Sequence, residues 1–184
     1  MFKLTKAQNL LVKQLFIMVI LLAALLAGGA LLFAKSSYVT EVGHFKEQPI
    51  HFSHETHANQ VGMDCRFCHT GVEHSNSAGM PSNETCYGCH REVLSYTEYL
   101  KPIREKYKAN RSLGWNRVNK LADHVHFNHK KHIDSKIACT TCHGDVAQMP
   151  LMGTANDFTM KYCLDCHRTQ KEAPRLQDCY TCHR

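Results

Sequence analysis

No cysteine in this chain lies outside one repeated pattern, Cys-Xaa-Xaa-Cys-His. The ten cysteines form five copies of it and none is left over. A disulfide framework would leave the five adjacent histidines unexplained. Structural zinc sites are built from pairs of CxxC motifs, but they need no histidine after each second cysteine, and five half-sites do not pair. Both alternatives are therefore disfavoured.

The spacing of the pattern is that of a covalent attachment site for c-type haem. The two thiols add to the two vinyl groups of one porphyrin, and the histidine that follows reaches the iron from one side. The sequence therefore predicts five c-type haems, and we expect a chain holding five irons to move electrons. The predicted thioether positions are Cys65 and Cys68, Cys86 and Cys89, Cys139 and Cys142, Cys163 and Cys166, and Cys179 and Cys182. The predicted proximal iron ligands are His69, His90, His143, His167 and His183.

Polar side chains are absent from residues 15–34. Twenty residues of helix span about 30 Å, the thickness of a bilayer core. The apolar region of a cleaved signal peptide is usually only about 7–15 residues long, so a retained transmembrane helix is favoured over cleavage after Ala30. Lys3, Lys6 and Lys13 precede this span and only Lys35 follows it closely. The excess of positive charge predicts a cytoplasmic N-terminus, residues 1–14, with the rest on the periplasmic side of the inner membrane.

A large apolar core is also missing from the predicted exported part. About 150 residues would serve five haems, which is too little chain to bury much apolar side-chain surface. The expected fold is therefore mainly loops and short α-helices wrapped round the haems, with little sheet and no folding without haem. The formal charge of +6 omits the haem propionates, so it does not indicate nucleic-acid binding.

The motifs divide the chain after the transmembrane helix at 15–34. We expect a linker at 35–50, a two-haem segment at 51–90, a haem-free helical spacer at 91–123 and a three-haem segment at 124–184. Within the spacer, Glu92–Leu100 is predicted to be helical. Pro102 is expected to begin a new turn or to kink the helix, which Ile103–Tyr107 would continue.

A second repeat precedes two of the motifs. The segment His51–His57 and the segment His126–His132 share the pattern HFxHxxH. Its middle histidine lies eleven residues before the next attachment cysteine in the first copy and ten in the second. This nearly shared offset indicates a duplicated haem-binding unit.

The repeat resembles a pattern of small multihaem cytochromes of the c3 and c7 type. In those proteins the first histidine of Phe-Xaa-His-Xaa-Xaa-His caps the haem that follows, and the second caps a neighbour. The resemblance implies that His54 and His129 are distal ligands of the first and third haems, and that His57 and His132 cap two others. His51 and His126 lie before the pattern and are weaker candidates.

The fifth distal ligand is left open by the sequence. Met152 is favoured, with Met160, His124 and His126 as alternatives. Methionine ligation would raise that haem's potential, although a methionine in an apolar stretch more often packs. These ligands would close all five sites, so we expect no catalytic residue and no substrate site. The Cys-Xaa-Xaa-Cys-Lys motif of pentahaem nitrite reductases is also absent.

Several motifs together resemble the pentahaem cytochrome c subunit (ActA) of bacterial alternative complex III. The matching segments are Gln48–His54, Cys65–His69, Ser77–Pro81, Trp115–Val118, Phe127–His129, Met149–Met152 and Cys163–Arg168. In that family Arg-Val is commonly followed by His, where this chain has Asn119. If that histidine binds iron, another residue replaces it here, and His124 is a candidate.

The resemblance implies an electron wire beside an iron–sulfur subunit and a polytopic quinol-binding membrane subunit. Electrons from quinol would pass to a monohaem cytochrome c or another periplasmic acceptor. Two alternatives are a free-standing quinol dehydrogenase similar to NapC and a reductase with one open haem. A single span leaves little room for a quinone pocket, which disfavours the first of these.

Overall fold

The computed structural model describes residues 5–183, apart from the side chain of Ala173. Lys3, which contributes to the predicted topology, and the terminal Arg184 lie outside this range. The chain forms two compact units, residues 1–41 and residues 42–184. Residues 42–50, which the sequence analysis assigned to a linker, therefore belong to the second unit.

The first unit is built on one long helix, α1, Lys6–Ala34. Its N-cap Thr5 accepts a hydrogen bond from Gln8 N, and Gln8 Oε1 accepts one from Thr5 N, so two of the free N–H groups are satisfied. A short helix, α2, follows at Ser37–Thr40. Helix α1 is long and apolar enough to cross a membrane, a property that signal sequences share.

The second unit consists of loops and short helices. Among residues 5–183 there is no strand, and the only β-type contacts are two isolated bridges, Val42 with Thr154 and Phe45 with Gly153. The predicted loop-and-helix architecture with little sheet is confirmed. The α-helices are α3 at Cys65–Cys68, α4 at Asn83–His90, α5 at Lys101–Lys108, α6 at His129–Asp134, α7 at Cys139–His143, α8 at Met160–His167, α9 at Ala173–Leu176 and α10 at Cys179–Cys182. A π-helical turn at Glu55–Gln60 and 3-10 turns at Thr70–Glu73, Glu98–Leu100 and Val146–Gln148 complete the set.

The helix predicted at Glu92–Leu100 is wrong. Turns follow α4, and Leu94 adopts the left-handed backbone conformation with φ of 54°, which a continuous right-handed helix does not accommodate. A 3-10 turn at Glu98–Leu100 then leads into α5, whose first turn contains Pro102. Proline is tolerated there because the first turn leaves its N–H groups unpaired in any case. The expectation that Pro102 begins a new turn is confirmed.

The protein supplies only a small apolar core, as expected. Four buried side chains form its one cluster among the described residues: Ile50, Leu100, Ile103 and Leu113. Val72 and Val118 are buried elsewhere, and no described side chain is fully enclosed. The partly buried rings of Tyr87 and Trp115 pack against the cluster. This cluster joins the spacer to α4, so it positions the second attachment motif.

Replacing Ile103 by Ala should destabilise the haem-loaded domain by about 2–4 kcal/mol, because it leaves a cavity in a cluster with few other members. Ile103 is 6% exposed. Thermal unfolding followed by circular dichroism measures the effect. Val93→Ala is the control, since that side chain is 56% exposed. Equal melting temperatures for the two variants would contradict the importance of the cluster.

Candidate haem-binding sites

Each pair of attachment cysteines lies within one helix, at the start of α3, α7 and α10 and further along α4 and α8, which places the two cysteines on one face. Side chains just before the motifs cap these helices. Asp64 and Asp178 accept hydrogen bonds from Arg66 N and Tyr180 N, both at 2.8 Å, and so begin α3 and α10 at the first cysteine. Ser82 and Thr159 cap the longer helices α4 and α8 in the same way. Only α7, after Ala138, lacks a side-chain cap among the five.

Four of the five motif histidines donate a hydrogen bond from Nδ1 to a backbone carbonyl. The acceptors are Gly79 for His69 at 2.9 Å, Val93 for His90 at 3.1 Å, Leu176 for His167 at 3.2 Å and His124 for His183 at 3.2 Å. A carbonyl only accepts, so Nδ1 carries the proton and Nε2 keeps its lone pair. That is the tautomer in which a histidine binds a metal through Nε2.

Gly71 allows the first of these bonds to form. A Cβ atom at this position would lie 2.5 Å from the carbonyl oxygen of Ser77 and 2.8 Å from that of Ala78. Because glycine has none, the loop at 75–79 approaches the motif closely enough for the Gly79 carbonyl to meet His69.

Both copies of the HFxHxxH segment arrange their rings in the same way. The phenylalanine ring meets the middle histidine of the pattern edge-on and stacks on the last histidine. The ring-centroid distances are 4.9 Å for Phe52 with His54, 4.5 Å for Phe52 with His57, 4.7 Å for Phe127 with His129 and 4.4 Å for Phe127 with His132. His57 and His132 each donate from Nδ1 to the carbonyl four residues earlier, at 2.9 and 2.8 Å. The predicted duplication is therefore a repeated three-dimensional unit.

Histidines outside the motifs face those inside them. Two imidazoles bound to opposite sides of one iron, with bonds of about 2 Å, have centroids about 6 Å apart. Four pairs of rings match this separation. They are His57 with His90 at 6.0 Å, His129 with His143 at 6.4 Å, His132 with His167 at 6.1 Å and His124 with His183 at 5.4 Å.

His54 lies beside the remaining motif histidine, His69. Burial, followed in size by the neighbouring His69 and His57, lowers the pKa of His54 to about 4. Its Nδ1 atom is buried without a hydrogen-bond partner. A neutral imidazole with a free nitrogen is the form that coordinates metal. The five motif histidines thus each have a second histidine nearby.

The fifth pair differs from the expectation for Met152. Met152 lies in a segment that pairs with the start of the second unit, where its carbonyl accepts a hydrogen bond from Lys46 N at 3.2 Å. His124, named above only as an alternative, faces His183 instead. This geometry favours His124 over Met152 as the ligand opposite His183. No local pattern marks His124, because it lies 59 residues before its partner.

The two halves of the duplication interlock reciprocally. Lys130 N, next to the first distal histidine of the second copy, donates to the carbonyl of Ser75 at 3.3 Å. At the equivalent place in the first copy, Glu55 N donates to the carbonyl of Met149 at 3.1 Å. Ser75 and Met149 each lie six residues after the histidine of their own motif. Equivalent groups thus meet in both directions, which places the first and third motifs side by side.

Electrostatic neighbours among the thiols indicate which motifs lie side by side. Burial raises the pKa of the Cys65 thiol, and the neighbouring Cys139 raises it further. The same two causes, in the same order, act on Cys68 through Cys89 and on Cys163 through Cys182. Burial also raises the pKa of Cys142, to which Cys166 adds. These neighbours join the first motif to the second and third, the third to the fourth, and the fourth to the fifth. The spatial order is therefore second, first, third, fourth, fifth.

Within residues 5–183, no three or more Cys, His, Asp or Glu side chains are arranged to hold a metal ion together. A four-coordinate structural zinc site needs such a group. A haem iron bound by two histidines needs only a facing pair of imidazoles, and those pairs are present.

Replacing His124 by Ala should remove the distal imidazole from one of the five predicted haems. The proximal His183 should stay in place, because the backbone carbonyl at position 124 that holds it is retained. That haem should become high-spin and bind cyanide, which optical and electron paramagnetic resonance spectra detect. Met152→Leu is the control and should leave all haems low-spin. If Met152→Leu opens a haem and His124→Ala does not, the assignment to His124 is wrong.

Comparison with known proteins agrees with this duplicated arrangement. The sequence model of the family described as cytochrome c7 and related cytochrome c matches residues 50–109 and 125–184, once in each half. The multihaem cytochrome c subunit of menaquinone reductase from Nitratidesulfovibrio vulgaris is 31% identical over 163 residues, covering 76% of this chain and 78% of that protein. The cytochrome c-type protein NrfB from Escherichia coli O6:H1 is 23% identical over 174 residues, covering 85% of this chain and 90% of that protein. The chain therefore belongs to the family of cytochrome c7 and related multihaem cytochromes c.

Proposed function

We propose that this chain is a membrane-anchored pentahaem cytochrome that carries electrons within a quinone-linked oxidoreductase complex. The observation that carries the proposal is the second histidine beside every motif histidine. With both axial positions taken by imidazole, an iron has no open position for a substrate. Such centres accept and donate electrons and do little else.

The residues present fit five c-type haems. Each motif supplies two thiols and one histidine, and at four of the five sites the facing histidine stands at or near the separation that one iron requires. His54, His57, His129, His132 and His124 are the proposed distal ligands. The small apolar core is consistent with a domain whose interior is filled by porphyrin. When bound, haem supplies one-electron transfer at its iron.

The chain's own residues hold the ligands in place. Backbone carbonyls fix the tautomer of four proximal histidines, and Phe52 and Phe127 fix the rings of the distal pairs. The contacts between motifs place successive sites next to each other, so an electron passes along a line. The second and fifth sites are its two ends, and partners exchange electrons there.

Helix α1 is the proposed membrane anchor, with a cytoplasmic N-terminus and the haem domain on the periplasmic side. Exported cysteines agree with this orientation, because c-type haem is attached on that side of bacterial membranes. The N. vulgaris relative is the multihaem cytochrome c subunit of a menaquinone reductase. This supports a quinone-linked complex with membrane partners for the present chain.

Two finer assignments differ in the direction of electron flow. Motif resemblance favours alternative complex III, in which quinol is oxidised and electrons leave towards a monohaem cytochrome c. The name of the relative favours electrons arriving from the periplasmic side and reducing menaquinone. We favour alternative complex III on the breadth of the motif match, with an iron–sulfur subunit and a polytopic quinol-binding subunit as partners.

Purification of the native protein in mild detergent tests the proposal. We expect the chain to copurify with a polytopic membrane subunit and an iron–sulfur subunit, with five low-spin haems unchanged by cyanide or nitrite. Isolation of the chain alone, with quinol oxidation by the chain itself, would instead establish a free-standing quinol dehydrogenase. A haem that binds nitrite would establish a reductase.

The direction of flow is measured on the same complex. If alternative complex III is the correct assignment, a menaquinol analogue should reduce the haems within a turnover and pass electrons to a small periplasmic cytochrome. Faster transfer from a reduced periplasmic cytochrome to added menaquinone would contradict this assignment and favour the reductase. The isolated chain, stripped of its partners, is the control and should react with neither form of the quinone.

A further inference from the structure

Asn119 makes the third attachment site different from the other four. There, a side chain rather than a backbone carbonyl meets Nδ1 of the motif histidine. The amide nitrogen of Asn119 lies 3.2 Å from Nδ1 of His143. The other four motif histidines meet carbonyls of the backbone. A substitution cannot remove a backbone carbonyl, whereas it can remove the side-chain amide of Asn119.

The chemistry of the pair determines which amide atom faces His143. An imidazole that binds metal through Nε2 carries its proton on Nδ1 and needs an acceptor there. The Oδ1 atom of Asn119 is buried without a hydrogen-bond partner. Exchanging the two ends of the planar amide brings Oδ1 to Nδ1, which satisfies both atoms at once. Asn119 then takes the role that a backbone carbonyl has at the other sites.

We propose that Asn119 is a positioning residue that accepts a hydrogen bond from His143 and thereby sets the reduction potential of the third haem. This rests on the proposed attachment of that haem and its ligation by His143. Hydrogen bonding at Nδ1 makes an imidazole a stronger donor to the metal. A stronger donor stabilises the oxidised iron and lowers its reduction potential.

The place of the third site in the chain gives this hydrogen bond its functional weight. In the spatial order the third site stands between the first and the fourth, so every electron that crosses the domain passes it. For a one-electron step, about 59 mV between neighbours biases the position of the electron tenfold. A small change at this site therefore controls the whole path.

Two substitutions of similar size test the proposal with opposite expected signs. Asn119→Leu removes the acceptor, so the reduction equilibrium of one haem should shift at least tenfold towards the reduced form, about 59 mV. Asn119→Asp supplies a stronger acceptor, so the same haem should shift as far towards the oxidised form. Potentiometric titration of the full haem-loaded chain in detergent measures both, and electron paramagnetic resonance shows whether one low-spin signal changes.

Asn156→Leu is the matched control. Asn156 is also a partly buried amide at the third site, but it donates to the carbonyl of Cys142 at 2.7 Å and not to His143. Its loss should leave the potentials in place. His129→Met identifies the haem concerned, because methionine ligation raises the reduction potential of that haem. Asn119→Asp in the same background should then lower the reduction potential of that same haem.

The outcomes separate the inference from the proposed function. Unchanged potentials in both Asn119 variants, shifts of the same sign, or an equal shift in Asn156→Leu would overturn the role of Asn119 while leaving the wire intact. A haem count below five in the unaltered protein, with the third site empty, would overturn the proposed function first. If Asn119→Leu fails to fold, the direction of the Asn119→Asp shift decides the question.

Discussion

The structure depends on pairs of facing imidazoles whose separation leaves room for one metal ion between them. Four of the five pairs lie between 5.4 and 6.4 Å apart by ring centroids, and all but His129 with His143 join parts of the chain that are distant in sequence. The protein has little else with which to hold these parts together, since its apolar cluster contains four buried side chains. The proposed ligation across the gap would therefore also be a folding interaction. Binding energy at such sites is folding energy when no preformed site exists in the unfolded chain.

Duplication explains how the pairs are arranged. Each HFxHxxH segment holds one histidine for its own motif and one for a neighbouring motif, and each docks on the loop after the other half's first motif through Ser75 or Met149. Reciprocal docking brings the first and third motifs to the centre and leaves the second outside them. The order in space consequently differs from the order in the sequence at one place only, where the second motif becomes an end.

The sequence was most informative where the chemistry is local. The attachment motifs are predicted from their spacing, and the four histidines proposed as distal ligands are predicted from the resemblance of the repeat to the c3 and c7 pattern. The prediction of a spacer helix is wrong because Leu94 takes a left-handed backbone conformation, which a leucine side chain does not indicate. The sequence likewise favours Met152 over His124 as the fifth distal ligand, because nothing local marks His124. Position 49, its equivalent in the first copy, is a proline, so the repeat contains no signal for it, and its partner lies far along the chain.

In the proposed linear order, every electron that crosses the domain passes the middle sites. Substitutions that change the reduction potential of a middle site should therefore affect the whole path. The potential of an end site responds to whatever partner covers it, because contact changes its exposure to water. A site between two others exchanges electrons with its neighbours in the chain, so we expect its potential to respond chiefly to hydrogen bonds made within the chain. Four of the five proximal histidines bond to the backbone, whose acceptor strength hardly varies with sequence. The third site, bonded to the side chain of Asn119, combines an interior position with an acceptor that substitution can change. It is therefore the point at which the energy profile of the path can be altered without altering its ends.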